Sequence, residues 1–372
     1  MQKKLIALAV AGLVSAPAFA QSNVTIYGVA DAYMGFGSHG DNDKAAINSD
    51  GLSGSRLGFR GVEDLGNGLK GVFTVEQGFD ISNGTGMGNA SRQAFVGLGG
   101  SFGTVSLGRQ YAPGYDFQYD VTASAPIGPQ SILSNQSGMT ITPNSGARWD
   151  NSVAYNGSFS GLKVRAIYGM GGNEDTYEVV TAVDPVTGLP TASKLMDPQD
   201  DDRFGLGVEY GNGPLKVGAV YHYLKDGADI NGLSDDQQEW LVGGSYNFGV
   251  LTLAGSYQEV EGIGNLKGVD ADLWQIGVLV PVGAAGNVHL AYGEVDFDIN
   301  AMGVNESAKA KSYTLAYTHA LSKRTTAYAG WNRTDNDNGL DLGLVDYIQP
   351  AGATTYGGDE SDLFFVGMRH TF

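Results

Sequence analysis

Hydrophobic and polar residues alternate with period two along nearly the whole chain, as in strands whose successive side chains point to opposite faces. In the first run Val24, Ile26, Gly28, Ala30, Ala32, Met34 and Phe36 share one face, with Asn23, Thr25, Tyr27, Asp31 and Tyr33 between them. Later, Leu162, Val164, Ala166, Tyr168 and Met170 oppose Lys163 and Arg165, while Tyr313, Leu315, Tyr317 and Leu321 oppose Thr314, Ala316 and Thr318. Short connectors such as Gly66-Asn67-Gly68, Phe159-Ser160-Gly161 and Gly211-Asn212-Gly213 take turns with long polar ones: Gly37 to Asp50, Asn173 to Asp202, Asp335 to Glu360. Counting the runs between them predicts an all-β chain, a transmembrane antiparallel β-barrel of about sixteen strands with short periplasmic turns and long extracellular loops. A barrel of that size encloses an aqueous lumen. Phe364, Val366, Met368, His370 and Phe372 alternate up to a terminal aromatic, so the last strand is expected to close the barrel against the first.

A soluble β-sandwich also shows alternation and Gly-rich turns. The regular exchange of long and short connectors favours the barrel, as do 19 Tyr and 15 Phe available for aromatic girdles at the two membrane interfaces. The first twenty residues read as a cleaved signal peptide: Lys3 and Lys4, the apolar Leu5 to Val14, then Ala18-Phe19-Ala20. The remaining residues, 21–372, read as one barrel domain exported to the outer membrane. Nothing after residue 20 approaches the roughly 18 apolar residues of a spanning helix.

Composition removes several alternatives. The chain has no cysteine, so disulfides and thiolate metal ligands are excluded. A formal charge of −18 argues against nucleic-acid binding through a basic face. Gly66-Asn67-Gly68-Leu69-Lys70-Gly71 fits a dinucleotide fingerprint literally, but the following segment reads as a strand and not as the helix that fingerprint must open. The five histidines lie on five different elements without an i, i+4 pair, which excludes a helical zinc site. His222 and His289 fall on lumenal phases. No cofactor is implied. A barrel enzyme such as an outer-membrane lipase or protease is the alternative from a different class, and no catalytic motif supports it.

Five segments carry a resemblance: Val24 to Gly28, Ser55 to Gly68, Arg92 to Leu98, Val105 to Gln110 and Val366 to Phe372. Their sequences and order resemble the trimeric general porins of the Neisseria and Burkholderia branch. That resemblance implies a homotrimer, a passive diffusion channel for ions and small hydrophilic solutes, and contact with outer-membrane lipid and lipopolysaccharide. It also implies a third loop, here about Ala112 to Gly146, folded into the pore. Gly157-Ser158-Phe159-Ser160-Gly161-Leu162 departs from a Ser-Pro pair frequent in relatives at that turn.

Selectivity in a channel is set at its narrowest point by charge and diameter. Leu57 and Phe59 take the lipid phase, so Arg56 and Arg60 are expected in the lumen. Trp149, Val153 and Tyr155 likewise point to Arg148 and Asp150 as lumenal, and Arg165 follows on the next strand. Arg92 shares the phase of Ala94, Val96 and Leu98, which reads as the lipid side; the resemblance instead puts it on the barrel wall facing the inward loop. Asp116 and Asp120 of that loop are expected to oppose the arginines. The acids outside this zone cluster in loops, where salt screens them over about 8 Å. A nearly neutral or weakly anion-favouring constriction is therefore expected despite the net charge.

Overall fold

In the computed structural model the residues described are 23–39, 42–88, 91–122, 127–135, 137–142, 148–171, 181–183, 190–192, 202–225, 234–301, 304–337, 342 and 360–372. The expected signal peptide and most of the long connectors at 173–201 and 338–359 lie outside them.

The chain runs as an antiparallel meander. β1 (Asn23–His39), β2 (Asn42–Ser49), β3 (Arg56–Gly66), β4 (Leu69–Gly78), β5 (Ser91–Gly100) and β6 (Gly103–Tyr111) come first. Two short helices follow, α1 (Pro113–Asp116) and α2 (Pro129–Asn135). Then come β7 (Arg148–Phe159), β8 (Leu162–Gly169), a small separate hairpin of β9 (Thr181–Val183) and β10 (Pro190–Ala192), β11 (Arg203–Asn212) and β12 (Leu215–Leu224). The last are β13 (Gln237–Asn247), β14 (Thr252–Glu261), β15 (Val269–Val282), β16 (Gly286–Ala301), β17 (Val304–Ala320), β18 (Thr325–Asn336) and β19 (Glu360–Thr371).

Each strand of the main sheet pairs with its neighbour, and β1 pairs with β19 from Val29↔Thr371 to His39↔Ser361. The sheet is therefore closed. Closure satisfies the backbone polar groups that lipid cannot, which is why spanning strands need a barrel. It has sixteen strands, because β2 and β3 together make one: β1 pairs below with β3 and above with β2. The expected loop from Gly37 to Asp50 is thus mostly strand. Asp50 to Ser55 interrupts the composite strand and bends inward, where the amides of Leu52 and Ser53 donate to the Asp31 carboxylate.

Register confirms the two faces. Ile26 opposes Phe59 and Met34 opposes Val366, all exposed on the outside, whereas Asp31, Tyr33, Leu363 and Phe365 are buried within. The turn at Ser160-Gly161 takes φ of 48° and 89° between the paired Phe159 and Leu162. Two central residues with positive φ define the tight hairpin whose twist matches the strands, so the turn forms without the Ser-Pro pair.

The inside is not empty. Residues 112–122, 127–135 and 137–142 pack along the inner face, chiefly against β11 to β18, with Ile127, Ile132, Leu133, Met139 and Ile141 buried there. Leu52 of the inward bend joins the cluster of Ile127 and Ile132.

Candidate pore constriction

With one wall covered by the inward segment, the opposite wall, β3 to β8, carries the charge. Arg56 stands opposite Val29 and Arg60 opposite Thr25, on the face away from Phe59. Arg92 reaches the same side by a different route. The register of β4 and β5 slips between Glu76↔Gln93 and Gln77↔Ser91, leaving Arg92 as the extra residue of a β-bulge. A bulge re-aims a side chain and breaks parity, so an arginine in a lipid-facing phase turns into the lumen.

These groups meet on Glu76, which alternation with Phe73 and Val75 also places inward. Glu76 Oε1 accepts from Arg92 Nε at 2.9 Å and Tyr111 Oη at 2.7 Å; Oε2 accepts from Tyr27 Oη at 2.9 Å and lies 3.5 Å from Arg56 Nε. Tyr115 Oη lies 3.1 Å from Arg92 Nη2, and its ring stacks on Tyr111 at 3.7 Å between centroids. Arg56 Nη1 donates to Gly54 O of the inward bend at 2.8 Å. Arg60 lies over the Tyr27 ring at 5.1 Å. Arg148 interacts electrostatically with Arg92, and no acid pairs with it among the described residues. One buried carboxylate thus organises a patch in which cations are in excess.

The expected loop carboxylates divide. Asp116, at the end of α1, forms an ion pair with Arg165, joining loop to arginine wall. Asp120 is buried elsewhere: its Oδ1 accepts from the amide and hydroxyl of Thr122, and α2 offers it the amide of Gln130. Burial raises its pKa against the pull of those hydrogen bonds. Its surroundings fit a brace for the loop fold and do not put it opposite the arginines.

Asp150 also departs from the alternation. Pairing of β6 with β7 shifts between Gly108↔Ser152 and Gln110↔Trp149, and Asn151 takes a φ of 46°. Trp149 consequently turns inward onto His222, with ring centroids 5.1 Å apart, instead of facing lipid. Asp150 pairs with Arg109 at 2.7 Å, away from the Glu76 patch. Arg109 opposes Ala94, on the phase of Val96 and Leu98. Alternation fails here because the bulge inserts residues that parity cannot count.

The loop is held by side chains of the covered wall. Glu239 accepts from the amides of Thr140 and Ile141, the Thr140 hydroxyl and Gln258 Nε2, at 2.6 to 2.8 Å. His222 Nε2 accepts from the Gly114 amide at 3.2 Å and its Nδ1 meets Thr140 Oγ1 at 2.9 Å. His289 Nδ1 lies 2.7 Å from Val121 O. Both lumenal histidines are thereby placed as loop anchors. Glu239 shares its strand face with Leu241 and could have been read from alternation, but nothing local marks it as an anchor.

A closed sixteen-stranded barrel narrowed by an inward segment is the architecture of a diffusion channel, and comparison with known proteins agrees. The family model described as Gram-negative porin matches residues 7–339. The chain belongs to that family. Among curated relatives, outer membrane porin protein 32 of Delftia acidovorans is 33% identical over 381 residues, covering 100% of both chains. An outer membrane porin of Bordetella pertussis is 29% identical over 421 residues, again covering 100% of both. Major outer membrane protein P.IB of Neisseria gonorrhoeae is 41% identical over 120 residues, 30% of this chain and 33% of the relative. Among solved structures, the anion-selective porin from Comamonas acidovorans superposes with a TM-score of 0.76 at 29% identity, covering 95% of this chain and 100% of that one. The porin is a passive channel of the outer membrane, and the reading as a barrel enzyme falls away.

Proposed function

We propose that this porin conducts small anions in preference to cations, and that the wall bearing Arg56, Arg92 and Arg148, with Arg60 and Arg165 at its margins, carries the preference. The supporting observation is the imbalance around Glu76: one carboxylate shared by Arg56 and Arg92, with Arg148 near Arg92 and Arg60 over the Tyr27 ring, neither paired with an acid among the described residues. Arg165 and Asp116 cancel locally, so they shape the gap more than they charge it. Fixed cations beside a confined, low-dielectric lumen are screened less than the same charges in bulk water. The similarity to the Comamonas acidovorans porin, itself anion-selective, supports the same reading.

The test is the reversal potential under a KCl gradient, in the parent and in an Arg56→Ala/Arg148→Ala double variant. Anion preference in the parent, reduced in the variant, is expected. Cation preference that both share would overturn the proposal.

Export with removal of residues 1–20 and assembly as a homotrimer belong to the same reading. Outward tyrosines and tryptophans support the trimer. They occur from Tyr155 on β7 round to Trp331 on β18, including Tyr257, Trp274 and Tyr292. Among the described residues none stands on the outward phase of β1 to β6 or β19, where Ile26, Ile47, Val75 and Leu107 are exposed instead. The exposed aromatics of those strands are phenylalanines, Phe36, Phe59 and Phe364, and a face without the polar-tipped aromatics that sit at lipid interfaces fits contact with other protomers. A solved trimer form of Vibrio cholerae OmpT, at a TM-score of 0.64, shares the fold. Cysteines introduced at Ile47 and Val75 should cross-link between copies, and those at Tyr257 should not.

A further inference from the structure

Below α1, on the inner wall nearer the short turns, the lumen deepens into a pocket of about 420 Å³ between β7, β8 and β11. Phe117 forms one side and packs on Gly207, where a Cβ would stand 2.5 Å from its ring. Asn156 and Ser158 line the other side. Two ion pairs complete the lining, and each is lopsided.

Arg165 is 13% exposed while its partner Asp116 is 40% exposed; Glu209 is 9% exposed while its partner Lys163 is 59% exposed. Glu209 is further tied down by Tyr119 Oη at 3.3 Å. The buried members anchor the exposed ones. What the pocket offers to solvent is therefore one anion, Asp116, and one cation, Lys163, close to neutrality in sum.

That presentation differs from the Glu76 patch, where cations are in excess and a simple anion is favoured. We infer that the pocket is a transient docking subsite for small zwitterions, such as amino acids and short peptides: Lys163 takes the carboxylate, Asp116 takes the ammonium group, and Phe117 with Asn156 borders the part between. A solute with both charges gains from both walls of the pocket, whereas a neutral solute of equal size gains from neither. Asp116 and Lys163 stay open to solvent while paired, so a passing solute can add a weak, screened contact to each and leave again. Fast release is what a conducting pathway requires. The inference rests on the pore being open, and it is independent of the proposed anion preference.

Single-channel chloride current through the full-length porin in a planar bilayer provides the test, with glycylglycine or N-acetylglycinamide added on either side. Glycylglycine should interrupt the current with dwell times about fivefold longer than N-acetylglycinamide, the fold-change expected for engaging a solvated charge pair. Lys163→Ala and Asp116→Asn should each bring the ratio of glycylglycine to N-acetylglycinamide dwell times, both measured in the same variant, close to one. If Lys163→Ala fails to assemble, Lys163→Gln keeps the aliphatic stem and carries the same measurement. Equal dwell times for the two probes, or an excess that persists in both variants, would overturn the inference. The reversal potential without peptide reads the anion preference separately, so failure of one leaves the other standing.

Discussion

On the wall built by β3 to β8, charged side chains end at the lumen: Arg60 is exposed, Arg56 is partly so, and Arg92 reaches the patch through a bulge. On the wall built by β11 to β18, Glu239, His222, Gln258 and His289 are buried beneath the inward segment and direct their hydrogen bonds to its backbone and side chains. The same barrel face thus supplies two kinds of polar group. Those that act on passing ions keep contact with water and tolerate incomplete pairing. Those that hold the loop are cut off from water, where a missing partner is costly, so each is nearly saturated.

The largest effect should come from Glu239→Ala. It strips an acceptor from the amides of Thr140 and Ile141, the Thr140 hydroxyl and Gln258. At ~1–3 kcal/mol for each buried donor left unpaired, the end of the inward segment should come away from the wall. Single-channel recordings should show a larger, noisier conductance while the protein still inserts. A quiet trace of parental size would mean that this wall does not hold the constriction.

Arg92→Ala probes the other wall. Two unit charges about 4 Å apart interact by ~1 kcal/mol in water and ~4 kcal/mol at an effective dielectric of 20. The chloride-to-potassium permeability ratio should fall by about fivefold or more, since ~1 kcal/mol already corresponds to that factor. Glu76→Gln should raise it. Shifts of the same sign in both variants would show that charge is not what the patch contributes.

Gly54→Ala sharpens the link between bend and wall. A Cβ there would stand 2.6 Å from Arg92 Nη1, so the end of the guanidinium must swing while the backbone stays. A change in permeability ratio of about twofold is expected, smaller than for Arg92→Ala because the charge is moved and not lost. Arg60→Ala should do least. Its contact with the Tyr27 ring is worth ~0.5–1 kcal/mol at an exposed site, and it stands apart from Glu76. Reversal potentials should move by less than the Gly54→Ala shift, and a larger movement would relocate the narrowest zone toward the short turns.

Alternation by itself determined the closed all-β barrel and the strand number, and it set Arg56, Arg60 and Arg165 on the strand faces opposite their lipid-phase neighbours. A strand carries its face in its parity, and a barrel reads that parity around the whole ring. The same parity could have found Glu76 and Glu239. It could not place Arg92, Trp149 or Asp150, because each lies at a register slip, and a slip depends on how two strands pair and not on either sequence alone. Nor could it tell Asp116 from Asp120. Both are loop aspartates in the sequence; only the folded inward segment brings one to Arg165 and buries the other beside Thr122. The tertiary structure decided which charges face the water, since that follows from which wall the loop covers, a contact between residues as far apart as Ile127 and Thr314.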